Sequence, residues 1–332
     1  MSVFRNVVSV ASFYAAAFIG AGFASGQEIM RFFVRYGKGG LVGIAVSFGF
    51  LVMGTVLIIN RSKSQDARSY ADFIYKQSPR LAPYLDIVYS MFALIGLAVM
   101  LAGCGDLVAE LFAIGGGSIA TALAVGMLIY QGSDRLLDIG ALLTPPIAVL
   151  LILPAARTLT DTGIILPQDG VPLGIGAALL YSSYNLCLSM AVLSAFHHKL
   201  KTNGQIWSAA LLGNGIVIIL LLTIALSIWS EPITDTQSNM PMLVLAERLG
   251  PLFKIGSSVM LLAAMFSTAL AHAFALVNRI THQTTLGKPL SIGLVLFLGL
   301  SLSELGFGSL IEFGYPIIGV VGLLMFAVLL RR

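Results

Sequence analysis

Charge is what this sequence has least of. Asp, Glu, Lys and Arg make up 10% of its 332 residues, against about 25% in an ordinary soluble domain. With 58% of the residues hydrophobic, a globule in water could not hide the apolar surface, so the solvent for most of the chain must be lipid. Cysteine is nearly absent: Cys104 and Cys187 can form neither a disulfide framework nor a metal-ligand cluster. The few histidines sit at no spacing that groups them with carboxylates, which argues against a metalloenzyme. No G-x-S-x-G elbow, phosphate loop or nucleophile–base constellation occurs, so no enzyme is expected. No repeated filter motif or charged ring suggests a channel. The formal net charge of +4 does not point to nucleic acid, because the basic residues fall in short connections, where they act as topology signals.

Long apolar runs are what is there. A spanning helix needs about 20 mostly apolar residues, and that ruler marks about ten spans. They lie at 6–36, 39–60, 83–112, 115–131, 136–156, 171–198, 204–230, 251–281, 288–304 and 307–330. The first outruns a signal-peptide core, so it is expected to stay in the mature protein. With the N-terminus inside, Arg5, Arg61, Lys63, Arg68, Lys76, Arg80, Arg135, Lys199, Lys201, Arg279, Lys288, Arg331 and Arg332 fall on the inner side. Arg31, Arg35, Lys38, Arg157, Arg248 and Lys254 remain outside. This bias places both termini in the cytoplasm of a multi-pass protein of the bacterial inner membrane. Ser64–Ser78, with Tyr70, Phe73 and Ile74 at helical spacing, is expected to be an amphipathic surface helix. Glu231–Met240 is expected to be a polar outer loop. The whole chain, 1–332, then forms a single membrane domain.

A cut near 157–170 leaves five spans on each side, about 6–156 and 171–330. Five is odd, so the second set starts from the opposite side and the halves form a 5+5 inverted repeat, an architecture shared by many secondary transporters. The first span carries Gly20, Gly22 and Gly26. Each costs about 1 kcal/mol relative to Ala in a helix interior. Ser25 and Glu28 have the spacing of a capping box. The span is therefore expected to break and restart near mid-membrane, leaving backbone N–H groups that suit an anion. Close packing through small residues is the structural alternative. The sixth span has Tyr181-Ser182-Ser183-Tyr184-Asn185 at its centre and is expected to break at the matching position. Ordinary interhelical hydrogen bonding is the alternative there.

Ser267, Thr268 and His272 mark the eighth span. The hydroxyls, together with carbonyls freed in the first span, would suit Na⁺, unless they bond the carbonyl four residues back. Glu28 is explained by the capping box and by Arg31 at i+3. It is otherwise available to carry a proton or bind an ammonium group. His272 is a second proton candidate, or a hydrogen-bonded interior histidine. Asp106, Glu110, Asp138 and Glu304 lie near span ends and are expected to be structural. His197-His198-Lys199 is expected to anchor the inner end of the sixth span.

Three strings carry a family resemblance: FIGAGFASGQEIMRFF in the first span, LLYSSYNL in the sixth and AMFSTALAHAFALVNR in the eighth. Together they resemble the recurrent segments of the YkvI-like bacterial membrane proteins. That family is grouped with the amino acid–polyamine–organocation (APC) superfamily and its LeuT-type fold. The resemblance implies an all-α protein with broken helices 1 and 6 holding the substrate, here at Gly20, Ala21, Gly22, Phe23, Ser25, Gly26, Tyr181, Ser182, Tyr184 and Asn185. It implies a sodium site, where one exists, at Gly20, Phe23, Ser267 and Thr268. Proton-coupled relatives can instead use a fifth-helix lysine, and the fifth span here, Leu136–Ala156, has none. The resemblance further implies an outer gate made by a first-helix arginine and a tenth-helix acid, here Arg31 and Glu312.

The expected function is secondary active transport of a small solute, an amino acid or small amine, by alternating access. Na⁺ is the first candidate for coupling ion and H⁺ the second. No organic cofactor or nucleic-acid partner is expected; the partners are the solute and the bilayer. A membrane sensor that uses the same fold to bind a ligand without moving it is the alternative.

Overall fold

The computed structural model describes residues 2–67, 70–80, 82–132, 139–231, 233 and 239–330, and these are almost wholly helical. The first expected span is three helices: α1 (Ser2–Phe18), α2 (Ala21–Ser25) and α3 (Gln27–Phe32). The second is α4 (Lys38–Ser64), followed by the short α5 (Tyr70–Gln77). Spans three to five are α6 (Ala82–Phe112), α7 (Gly117–Gln131) and α8 (Ile139–Thr162). The second set opens with α9 (Gly174–Phe196) and continues with α10 (Asn203–Ser230), the short α11 (Pro241–Glu247), α12 (Pro251–Gln283) and α13 (Lys288–Ser303). The last span is α14 (Phe307–Ser309), a π-helical turn over Leu310–Gly314, and α15 (Tyr315–Leu330). Lys38–Ser64, Ala82–Phe112, Asn203–Ser230, Pro251–Gln283 and Phe307–Ala327 are each long and apolar enough to cross a membrane. The chain is a multi-pass membrane protein built of two consecutive five-span sets.

Local sequence explains most of the boundaries. Gly250 at φ 105° turns the chain into α12, whose first residue, Pro251, has no N–H to leave unpaired. The Thr202 side chain caps α10 by accepting from Gln205 N at 3.3 Å. In α5, Phe73 and Ile74 are buried while Tyr75 is exposed, as an amphipathic helix requires. Arg68, Arg135, Asp138, Arg331, Arg332 and residues 234–238 of the expected outer loop lie outside the described residues.

α9 is the central helix, packed on α1, α4 and α15. Ring contacts give its direction. Phe13 stacks on Phe196 at one end, and Phe18 meets Tyr181 at the other, so α1 and α9 run antiparallel. Where α4 begins, its glycines let two backbones touch. A Cβ on Gly174 would stand 2.4 Å from the Gly39 carbonyl carbon. Lys38 N donates to Asp169 O at 2.9 Å, and Val171 N donates to Tyr36 O at 3.1 Å. These bonds pin the connection between the two five-span sets against the start of α4.

Candidate functional site

The first span breaks as its glycines require. Gly20 is extended, with ψ 178°, and Gly26 sits in the left-handed region at φ 80°. Between them α2 makes little more than one turn. Ser25 Oγ donates to Gly22 O at 2.8 Å and accepts from Gln27 N at 3.2 Å. The expected capping box is not formed in its usual way, because the Ser25 cap goes to Gln27 and the Glu28 carboxylate turns away from α3. Tyr184 Oη on α9 donates to Glu28 Oε2 at 2.7 Å. Gly22 makes room for this: a Cβ there would stand 2.0 Å from Glu28 Oε1. Gly22 thus accommodates a carboxylate, not a neighbouring helix.

The sixth span does not break. α9 is continuous from Gly174 to Phe196, and its polar run bonds back along the helix. Ser182 Oγ donates to Ala178 O at 2.8 Å, and Asn185 Nδ2 donates to Tyr181 O at 3.0 Å. Ser183 Oγ reaches both Leu180 O and, across to α15, Gly319 O. Short polar side chains that satisfy carbonyls one turn back leave an α-helix intact. The density of polar residues had suggested a break, but their hydrogen-bond partners were not visible in the sequence.

A cavity of about 460 Å³ lies at the first-span break. Gly20, Ala21, Gly22 and Glu28 form one wall, and Tyr184 and Asn185 of α9 a second. Ser267, Thr268 and His272 of α12 form a third. Of the residues expected to bind substrate, Phe23, Ser25, Gly26, Tyr181 and Ser182 do not line it. Phe23 and Tyr181 are buried in packing instead. Tyr181 meets Phe18, Phe32, Phe33 and Tyr184 edge-on or tilted, closing the cavity on the side of α3. The lining continues the other way, past Ala17 and Leu188 to Phe13 and Val192, toward the end where α1 begins and α9 finishes.

The third span supplies a wall that sequence reasoning missed, at Phe92, Gly96 and Met100 of α6. A Cβ on Gly96 would stand 2.6 Å from His272 Nε2, and Phe92 meets the imidazole edge-on at 5.9 Å. A glycine in mid-helix was the available signal, but only against a known neighbour. Tyr315, on the far side of the π-helical turn, completes the lining and packs on Tyr184 at 5.1 Å.

Ser267 Oγ and Thr268 Oγ1 both donate to Ala264 O at 2.9 Å. The Gly20 carbonyl accepts from Ala24 N, and the Phe23 carbonyl accepts from Gly26 N. Gly20, Ser267 and Thr268 nevertheless line one cavity, and Phe23 does not.

Arg31 and Glu312 meet outside the aromatic layer, with Arg31 Nη1 2.8 Å from Glu312 Oε2. Arg35 Nη1 reaches the second oxygen at 3.2 Å. The expected i+3 pairing of Glu28 with Arg31 is thus replaced by two long-range contacts, Glu28 with Tyr184 and Arg31 with Glu312. The π-helical turn carries Glu312. Of the acids near span ends, Glu110 pairs with Lys254 and Asp106 accepts from Asn239.

No protein-family model matches the chain. Two proteins of Bacillus subtilis (strain 168) are similar along nearly its whole length. The uncharacterised membrane protein YkvI is 25% identical over 332 residues, covering 96% of this chain and 94% of the relative. The uncharacterised protein YyaD is 22% identical over 325 residues, covering 94% and 92%. Among solved structures, MhsT in complex with L-phenylalanine superposes with a TM-score of 0.62 at 17% identity, over 94% of this chain and 86% of that one. The inward-facing conformation of Mhp1 gives 0.62 at 11% identity, over 97% and 74%.

Proposed function

We propose that this protein is a secondary transporter that binds a small solute bearing an amino group, an amino acid or small amine, in the cavity beside the first-span break. The observation that carries this reading is the cavity itself. A space of about 460 Å³ at the break of the first span holds one carboxylate, Glu28, among aromatic and small side chains. Its volume is that of a small-molecule site, and its position, at a helix interruption between two five-span sets, is where alternating-access proteins bind their cargo. The likeness to MhsT, solved with L-phenylalanine, supports a solute of that size.

In this reading the molecule is closed toward α3 by Phe32, Phe33 and Tyr181 and, beyond them, by Glu312 held between two arginines. The cavity extends toward the N-terminal end of α1, the cytoplasmic side if the basic-residue bias sets the orientation. Rocking of the first and sixth spans against the others would exchange the two faces. Na⁺ is the proposed coupling ion, at Gly20, Ser267 and Thr268. It would compete for hydroxyls that now bond Ala264 O. Glu28 and His272 are the proton-coupling alternatives.

The test is transient current on a solid-supported membrane carrying the reconstituted protein. Amino acids and amines are applied in Na⁺ or in choline at fixed pH. A current that needs both solute and Na⁺ supports sodium symport, and a pH-sensitive current in choline moves the coupling to protons. Solute binding without uptake of radiolabel into the same vesicles overturns transport in favour of a sensor.

A further inference from the structure

The charge balance of the cavity says more about the solute. Glu28 is the one carboxylate in its lining, and the lining contains no lysine or arginine. Among the described residues no basic side chain forms an ion pair with Glu28. Its Oε2 accepts from Tyr184 Oη at 2.7 Å, while Oε1, which lies over Gly22, has no donor among the described residues. A carboxylate withdrawn from water needs a proton, a cation or further donors to offset its lost hydration. The ring of Tyr184 at its partner hydroxyl, and those of Phe18, Phe92 and Tyr315 along the walls, suit a cation with an apolar body.

The same cavity is poorly equipped for a solute carboxylate. Among the described residues no guanidinium or ammonium faces it, the one fixed charge has the same sign, and the unbroken α9 contributes no helix end. The first-span break offers only the opening N–H groups of the five-residue α2, and Glu28 Oε1 already lies over Gly22 beside them. A bare metal ion would leave most of the 460 Å³ unfilled.

We infer that the solute is a small organic cation, a primary amine with an apolar body and no carboxylate, whose ammonium group pairs with Glu28. This rests on the reading of the cavity as the solute site. It narrows that reading by excluding the zwitterionic amino acid. Glu28 Oε1 accepts from the ammonium, Tyr184 Oη holds the other oxygen, and the aromatic walls take the alkyl or aryl body.

The experiment is equilibrium binding to the purified full-length chain in detergent at fixed pH, with matched pairs that differ by one carboxylate. The pairs are phenethylamine against phenylalanine, and 3-methylbutylamine against leucine, each in Na⁺ and in choline, with Na⁺ alone as a further arm. The amines are expected to bind at least about tenfold more tightly than their parent amino acids, and Glu28→Gln to weaken the amines by at least about tenfold, as loss of a buried charge partner does. Tyr184→Phe, which keeps the carboxylate, should weaken them by a smaller factor, and the melting temperature of each variant checks folding. Amino acids binding as tightly as the amines, amine affinity unchanged in Glu28→Gln, or no amine binding at all would each overturn the inference. Uptake of an amino acid into vesicles would also overturn it while leaving transport standing. Amine binding without uptake would do the reverse.

Discussion

Tyr184 Oη donates to Glu28 Oε2 at 2.7 Å across 156 residues of sequence. This one bond ties the restarted part of the first span to the helix that opens the second five-span set. It lies at the cavity wall, where both side chains are almost wholly buried. Any solute that draws on Glu28 therefore acts on the contact between the two sets.

A side chain at Gly22 should displace Glu28. A Cβ would fall 2.0 Å from Glu28 Oε1, so Gly22→Ala is expected to move the carboxylate off Tyr184 Oη and cost about 1–3 kcal/mol, as loss of a buried hydrogen-bond partner does. Solute binding should fall with it, and Gly22→Leu should abolish binding. Gly20→Ala is the control for stability, because nothing lies within 4 Å of its Cβ position. Melting temperature measured on both variants, and solute affinity measured on the Gly22 variants, decide the point. Equal behaviour would remove the steric argument.

Asn185 lines the cavity, and its amide nitrogen bonds Tyr181 O within the same helix. Asn185→Ala is expected to weaken solute binding strongly while leaving the bundle folded, since α9 keeps its backbone bonds. Wild-type affinity in this variant would place the solute elsewhere in the cavity.

Glu312 is shared by Arg31 and Arg35. Glu312→Gln leaves both guanidinium groups without their common carboxylate, on the side of the aromatic layer away from the cavity. The expected cost in stability is small, about 0–1 kcal/mol for a partly exposed pair. Solute release to that side should speed up. An unchanged release rate, measured by dilution of preloaded protein, would show that the pair does not hold the outer side shut.

Gly96 and His272 should be energetically coupled. Gly96→Ala puts a methyl group 2.6 Å from His272 Nε2 and is expected to destabilise the wild type. In a His272→Ala background the same change should cost less, with a coupling of about 0.5–3 kcal/mol for residues in contact. A double-mutant cycle in melting temperature measures it, and additive effects would mean that the imidazole moves aside freely.

Tyr14 Oη donates to Asn214 Oδ1 at 2.7 Å, and Asn214 Nδ2 reaches Thr55 Oγ1, joining the first, second and seventh spans. Tyr14→Phe is expected to cost about 0.6 kcal/mol, the average for an interhelical hydrogen bond in a membrane protein. Denaturation in mild detergent would detect a larger loss and so reveal a more cooperative network.

The sequence by itself determined the membrane class, the positions of the spans, and the interruption at Gly20 and Gly26. Each of these rests on one-dimensional chemistry. Apolar run length matches bilayer thickness, and glycine is costly inside a helix wherever it stands. The meeting of Arg31 with Glu312 was also anticipated, through the resemblance carried by the first span and not through the spacing of the two residues. The tertiary structure alone decided the rest. Ser182, Ser183 and Asn185 looked like a second break because their polarity was visible and their acceptors were not; in space they bond Ala178, Leu180, Gly319 and Tyr181 and keep α9 whole. Glu28 looked like half of a capping box because its nearest candidate partner in sequence was Ser25; in space a hydroxyl 156 residues away is the better donor. The α6 wall at Phe92, Gly96 and Met100 left no polar signature, because apolar side chains that face a cavity and those that face lipid read alike until the helices are packed.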